Sequence, residues 1–429
     1  KIKIIEINRI RNNKEKVKKA LLKRMDNVDL GELLEWDKEK RKIGTLMDEY
    51  RAERRKASDV IPEMKKEGKD TTEIIKQMKD LGAKIDEGMA KYNELDKKIF
   101  DYLAELPNIP DDDVPAGGKE NNEVLRTYLK RSNFDFEIKP HYEILKDLKM
   151  VDYERGVKIA GEKNWIYTGV GARLEWALIN YFIDTHIKNG FQFMMLPYML
   201  KYECGFGAGQ FPKFNEEVYM IKGEEDDEKN TKFLLPTAET GLVNIHSNEI
   251  LNIDELPKKY FAYTQCFRVE AGSSREEERG TIRGHQFNKV EMVQYVAEDK
   301  TEEAFNELLN IAEGLMKKLG LHYQVSKLAA GDCAQGMCRT YDIEVWIPSM
   351  GIYKEVSSVS NSRDYQARRN NTKYRDNDGN LHYVCTLNGS GLATSRLVPA
   401  IVEQYQNKDG SITVPEVLRP YLGGLEVIK

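Results

Sequence analysis

What this chain lacks narrows its class before any motif is read. It has no apolar run approaching the roughly 18 residues that a membrane-spanning helix needs. Its first stretch, Lys1 to Lys19, mixes Ile and Val with many charges and has no continuous apolar segment of the kind a secretory leader carries. No membrane partner is therefore expected. Cysteine is scarce and odd in number: the five residues Cys204, Cys266, Cys333, Cys338 and Cys385 make no disulfide framework and fit a reducing compartment, so a cytoplasmic location is expected. Cys333 and Cys338 invite a zinc reading, but no second pair follows and the six histidines are dispersed. Neither sign of charge dominates, since 66 basic and 71 acidic residues leave a formal net charge of -5, and any nucleic-acid surface must be local. The common nucleotide signatures are missing too: there is no Walker A run and no Gly-x-Gly-x-x-Gly set between a strand and a helix.

What is present is unevenly distributed. A length of 429 residues suggests two or three domains, and a charged fraction of 32% is high for an ordinary compact domain. The excess charge concentrates between Leu30 and Leu106, where Leu, Ile, Met and Tyr recur at helical spacing. One arm shows Leu34, Ile43, Met47 and Tyr50. The other shows Ile74, Ile75, Met78, Leu81, Ile85, Met89, Tyr92, Leu95 and Ile99. Two narrow seams joined by Lys66-Glu67-Gly68-Lys69-Asp70 predict an antiparallel helical hairpin. Each arm would extend on the order of 45 Å. Pro62, Gly82 and Gly88 predict a kink or fraying near the tip. A spacer or dimerising coiled coil would show the same periodicity. Arg51, Arg54, Arg55, Lys56, Lys65 and Lys66 form a candidate phosphate-contacting strip, although a solvated face looks similar.

The run from Leu106 to Gly118 holds three prolines, three consecutive acids and two glycines and reads as a linker over 107–120. This divides the chain into an N-terminal domain, 1–106, and a larger domain, 121–429. The larger part mixes a helical stretch, Arg173 to Lys188, with β-rich runs at Phe287 to Val296 and Tyr341 to Ile347. Its strands do not alternate regularly with crossover helices, which favours an α+β fold around an antiparallel sheet.

Chemistry concentrates in Phe267-Arg268-Val269-Glu270, a polar loop, and Arg283-Gly284-His285-Gln286-Phe287-Asn288-Lys289-Val290-Glu291. An arginine on a strand offers a planar fork of donors to a phosphate, and an aromatic on the returning strand can stack an adenine. Alone, such an Arg-x-Glu is more often a surface ion pair. Together the two halves resemble the second signature motif of the class II seryl-tRNA synthetases. Other segments resemble that family in its own order. Asn189-Gly190 leading to Leu196-Pro197 is similar to the first motif, at the dimer interface. Gly207-Ala208-Gly209-Gln210-Phe211-Pro212-Lys213-Phe214 and the Thr237-Ala238-Glu239 loop follow. Tyr353-Lys354-Glu355-Val356-Ser357-Ser358 with Gln366-Ala367-Arg368-Arg369 resembles the metal-holding stretch. Thr386 to Ala393 with Arg396 resembles the third motif. Arg51 to Ser58 and Pro107-Asn108-Ile109-Pro110 extend the likeness to the helical arm.

The resemblance implies a class II catalytic domain preceded by a tRNA-binding coiled-coil hairpin. It implies ATP-dependent formation of seryl-adenylate from L-serine and transfer of serine to the 3′-terminal adenosine of serine tRNA, with selenocysteine tRNA as a further candidate substrate. The implied catalytic residues are Arg268, Glu355 and Arg396. ATP would be held by Arg268, Glu270, Arg283, Phe287, Glu355, Ser358 and Arg396. Serine would be held by Thr237, Glu239, Arg268, Glu291, Asn388 and Ser390, and Mg²⁺ by Glu355 and Ser358. Arg51, Arg54, Arg55, Lys56 and Lys65 would face tRNA, and the protein would be a homodimer in which one subunit's arm serves the other's site. The chain departs from the pattern at Arg275-Glu276-Glu277-Glu278, where three acids stand near the expected acceptor end, and at Val359, where the family often has cysteine. A ligase that passes serine to another carrier, or a non-catalytic tRNA-binding relative, would share much of this sequence. The intact arm argues against the first, and the retention of Arg268, Glu355 and Arg396 against the second.

Overall fold

The computed structural model describes residues 7–221, 231–270 and 279–429. It divides into two compact units, one containing Asp26–Pro107 with residues 7–22, the other Asn108–Lys429 with Lys23–Met25.

The first unit is dominated by helices α1 (Leu30–Lys66) and α2 (Thr72–Glu105). Their 37 and 34 residues correspond to rods of about 55 and 50 Å. Asp29 starts α1 by accepting a hydrogen bond from the Gly31 amide at 2.8 Å. The seam buries Leu33 and Met47 with Leu81, Ile85, Leu95, Ile99 and Leu103, whereas Ile75 is exposed and lies off it. The expected break near the tip does not interrupt either helix. Pro62 is on the exposed face of α1, where water can take the carbonyl it leaves unbonded. Gly88 is a close-packing position: a Cβ there would stand 3.0 Å from Met47 Cγ. Buried Asp37 receives Arg11 Nε and Nη2, each at 3.0 Å, and Arg41 Nε at 3.1 Å, so its charge is fully compensated.

The second unit is built on an eight-stranded sheet. Its strands are β1 (Glu123–Tyr128), β2 (Gln192–Met194), β3 (Lys258–Phe267), β4 (Gln286–Val296), β5 (Tyr323–Lys327), β6 (Arg339–Ile347), β7 (Ile352–Arg363) and β8 (Cys385–Ala393). In space they run β1-β5-β6-β7-β8-β4-β3-β2, antiparallel except for the edge pair β2 and β3. Helices α3 (Gly169–Lys188), α4 (Thr301–Leu319) and α5 (Thr394–Gln404) supply the apolar core. Phe182, Leu308, Leu315 and Leu397 pack there with Val290, Met292 and Leu387 from the sheet. Because side chains alternate along a strand, burying Val290 and Met292 turns Lys289 and Glu291 to the opposite face.

The run read as a linker is packed into this unit. Asn108 donates to the carbonyls of Gly336 and Ser362 at 2.9 and 2.8 Å. Asp111 pairs with Arg363 at 2.8 Å and with Arg339 at 3.1 Å. These bonds tie residues 108–111 to the sheet unit.

Candidate active site

The second motif becomes the hairpin β3–β4. Arg268 follows the last residue of β3, its Nε 3.3 Å from the Pro236 carbonyl and its guanidinium 5.3 Å from the centre of the Phe287 ring on β4. Glu270 adopts φ 51°, a left-handed conformation, and its carboxylate pairs with Arg283. Residues 271–278, including the three acids of the loop, lie outside the described residues. The returning limb is strapped to His141 and to α5. His141 Nε2 lies 3.1 Å from the Arg279 carbonyl, Thr281 Oγ1 donates to the Ser395 carbonyl at 3.0 Å, and Arg396 Nε reaches the Ile282 carbonyl at 3.3 Å.

Arg396 sits in the first turn of α5, and its Nη1 donates to the Glu355 carbonyl at 2.9 Å. Its guanidinium is 3.7 Å from Glu355 Oε2. Arg268, Glu270, Arg283, Phe287, Glu355, Ser390 and Arg396 thus line one cleft, with Lys289 in its wall. Ser358 lines an adjoining hollow with Asp342, Glu355 and Arg396. Strict alternation would put Glu355 and Ser358 on opposite faces of β7. The register slips there: Ser357 pairs with Ile343 but Glu355 with Glu344, leaving Val356 as an extra residue. This bulge brings both side chains to one side, where Ser358 Oγ stands 3.0 Å from Glu355 Oε1 and 2.6 Å from Asp342 Oδ1. The cleft walls disfavour charge on Glu355, but Arg396 and the Ser358 hydroxyl outweigh them and hold its carboxyl below the usual range. Buried Asp342, facing that carboxylate, is pushed well above its own.

Beneath the cleft is a buried polar network. Lys289 Nζ donates to Thr237 Oγ1 and pairs with Glu291 Oε2, both at 2.8 Å. Glu291 also accepts from Asn388 Nδ2 at 3.1 Å and from Ser390 Oγ at 3.2 Å. Burial opposes the Lys289 charge, yet Glu291 reverses the effect and the ammonium is held above its ordinary range. Glu239, in the first turn of the short helix that Thr237 caps, is pushed up to about 7 by burial and by Glu291. Thr237, Glu239, Glu291, Asn388 and Ser390, which come from three separate stretches, meet here.

Sequence reading assigned no role to four residues of this assembly. Lys289 and Gln366 lay inside quoted motifs, so their positions were visible although their partners were not. Asp342 and His141 carried no local signal. The five basic residues proposed for tRNA lie on α1 of the other unit, all exposed. Among the described residues no group of three His, Cys, Asp or Glu side chains could hold a metal, and Cys333 and Cys338 are buried free thiols.

Two family models match the chain: the seryl-tRNA synthetase N-terminal domain over residues 4–110, and the class II tRNA synthetase core domain (G, H, P, S and T) over 219–405. The chain is 53% identical to serine–tRNA ligase 2 of Clostridium acetobutylicum over 422 residues, 98% of this chain and 99% of that one. It is 49% identical to the serine–tRNA ligase of Clostridium novyi over 432 residues, 99% of this chain and all of that one. The structure is similar to seryl-tRNA synthetase from Pyrococcus horikoshii complexed with ATP, with a TM-score of 0.93 at 33% identity and 99% coverage of both chains. A cytoplasmic serine–tRNA ligase from Naegleria fowleri in complex with AMP gives 0.88 at 27% identity, covering all of this chain and 99% of the other.

Proposed function

Since this chain belongs to the class II seryl-tRNA synthetases, we propose a division of labour among its residues for serine activation and transfer. The reaction is ATP-dependent: the serine carboxylate attacks the α-phosphorus of ATP, a carboxyl oxygen–phosphorus bond forms, and pyrophosphate leaves with the bridging oxygen. The 3′-terminal ribose hydroxyl of serine tRNA then attacks the seryl carbonyl, losing its proton as AMP departs. The substrate supplies its own nucleophile, so positioning and electrostatics carry the catalysis.

Arg268 holds the α-phosphate and the serine carboxylate, Phe287 stacks the adenine and Glu270 takes its amino group. Arg283 steadies Glu270, and Arg396 meets the γ-phosphate. The oxygen donors Glu355 and Ser358 suit Mg²⁺, a hard cation that enters with nucleotide phosphates and takes few protein ligands. An ionised Glu355 beside a hydroxyl fits that need. When bound, the ion neutralises phosphate charge. Thr237 and Glu239 receive the serine ammonium, while Glu291, Asn388 and Ser390 address its hydroxyl. Alanine would leave these buried groups unpaired, which is the physical basis for rejecting it. The single observation that carries this reading is the buried Thr237–Lys289–Glu291–Ser390 network lying directly under the Arg268–Arg396 cleft.

The exposed strip Arg51, Arg54, Arg55, Lys56 and Lys65 meets tRNA phosphates, recognising shape rather than sequence. The same logic extends the proposal to selenocysteine tRNA where a cell has one. A homodimer is supported by apolar side chains left uncovered on and beside α3 and β2: Trp176, Ile187, Phe193 and Met195 are 52, 52, 39 and 91% exposed. Free thiols at all five cysteines suit a cytoplasmic enzyme, and among the described residues no helix is long and apolar enough to cross a membrane. The test is transfer of labelled serine to total tRNA with ATP and magnesium, with alanine and threonine as competitors. Serine-specific charging is expected. Failure to charge competent tRNA, with serine-dependent pyrophosphate exchange intact, would move the assignment to a carrier ligase.

A further inference from the structure

The helix Tyr365–Asn370 contributes Gln366, which is 1% exposed and uses its whole amide. Nε2 donates to the Ala208 carbonyl at 3.1 Å and to Glu239 Oε1 at 2.8 Å. Oε1 accepts from Thr386 Oγ1 at 2.6 Å and from Ser362 Oγ at 3.2 Å. A backbone carbonyl can only accept, so Ala208 fixes which end of the amide is nitrogen. The donor presented to Glu239 is therefore dictated by the surrounding fold.

We infer that Gln366 is a positioning residue for serine binding, holding Glu239 in its ionised form and aiming it at the substrate ammonium. This rests on the reading of Glu239 as the ammonium acceptor. The electrostatic setting makes such a donor necessary. Glu239 faces the Glu291 carboxylate and the Lys289 ammonium from β4, Arg268 from the end of β3, and Gln366 from its short helix. Burial and Glu291 raise its carboxyl to about 7, whereas Gln366, Lys289 and Arg268 lower it. The ionised form is thus depleted as pH falls through 7, and serine binding should weaken in the same interval. Removing the donor displaces this loss to higher pH, because the carboxylate accepts the N–H more strongly than the neutral acid does and loses more when it is gone.

The experiment is serine KM from pyrophosphate exchange at saturating ATP, between pH 6 and 8.5, for wild type, Gln366→Met and Glu239→Ala. Gln366→Met is expected to move the pH profile of serine KM upward by about one unit, equivalent to about fivefold at pH 7 and approaching tenfold at pH 6. The deficit should shrink toward pH 8.5 and KM for ATP should not change. Glu239→Ala should raise serine KM at every pH. If Glu239→Ala leaves serine KM unchanged, the ammonium assignment fails and this inference with it. If Glu239→Ala raises KM but Gln366→Met keeps the wild-type pH profile, only the role of Gln366 is overturned. Gln366→Glu, which preserves size and shape, covers the case in which the methionine variant does not fold: a raised and pH-displaced KM supports the inference, and a wild-type profile overturns it.

Discussion

The hairpin and the sheet cleft are both rich in charge, but they keep it in opposite environments. On α1 and α2 the ion pairs are partly or largely solvated: Lys91 and Glu39 meet at 2.6 Å with both side chains about half exposed. Under the cleft, Lys289 and Glu291 meet at 2.8 Å with side chains 9 and 1% exposed. A solvated pair is screened and nearly replaceable. A buried pair with further hydrogen bonds is worth little as a unit, yet breaking it strands a charge in low dielectric. Apart from buried Asp37, the hairpin's charges therefore tolerate single changes, whereas the cleft depends on each member.

Four experiments sharpen or break that contrast. The largest effect is expected from Arg268→Ala, which removes the donor fork proposed to hold the α-phosphate and should lower pyrophosphate exchange by at least about 10³-fold. tRNA binding, measured by filter retention, should be nearly unchanged; normal exchange would refute the phosphate role. Next, excising Asp37 to Glu105 should reverse the pattern, sparing exchange and reducing tRNA charging by at least about a hundredfold, in line with the loss of several phosphate contacts. Undiminished charging would remove the hairpin from tRNA recognition. Third, Glu291→Ala leaves Lys289 buried without its carboxylate and should cost about 3–5 kcal/mol in chemical denaturation. A loss below about 1 kcal/mol would show that the network is less tightly coupled than its distances imply. The smallest effect is expected from Arg55→Ala on α1: weaker tRNA binding by a few-fold, with the salt slope reduced by about one. A loss as large as that of Arg268→Ala would erase the distinction between the two regions.

The hairpin was almost wholly legible in the sequence, because a helical seam is a local, periodic property: its turn and both arms fall where spacing put them. The glycines misled, since Gly88 weakens an isolated helix but admits Met47 of the facing one. In the cleft, motif residues were legible by type. Their partners were not, because Gln366 meets Glu239 across 127 positions and Lys289 meets Thr237 across 52.

The sequence by itself determined the helical hairpin and the antiparallel sheet. Only the tertiary structure decided that Glu355 and Ser358 share a face, that Lys289 bridges Thr237 to Glu291, and that Ala208 orients Gln366 toward Glu239. The reason is physical. Helical periodicity and motif chemistry are written along the chain, but a bulge breaks strand alternation, and hydrogen bonds between distant strands depend on register, which local sequence does not encode.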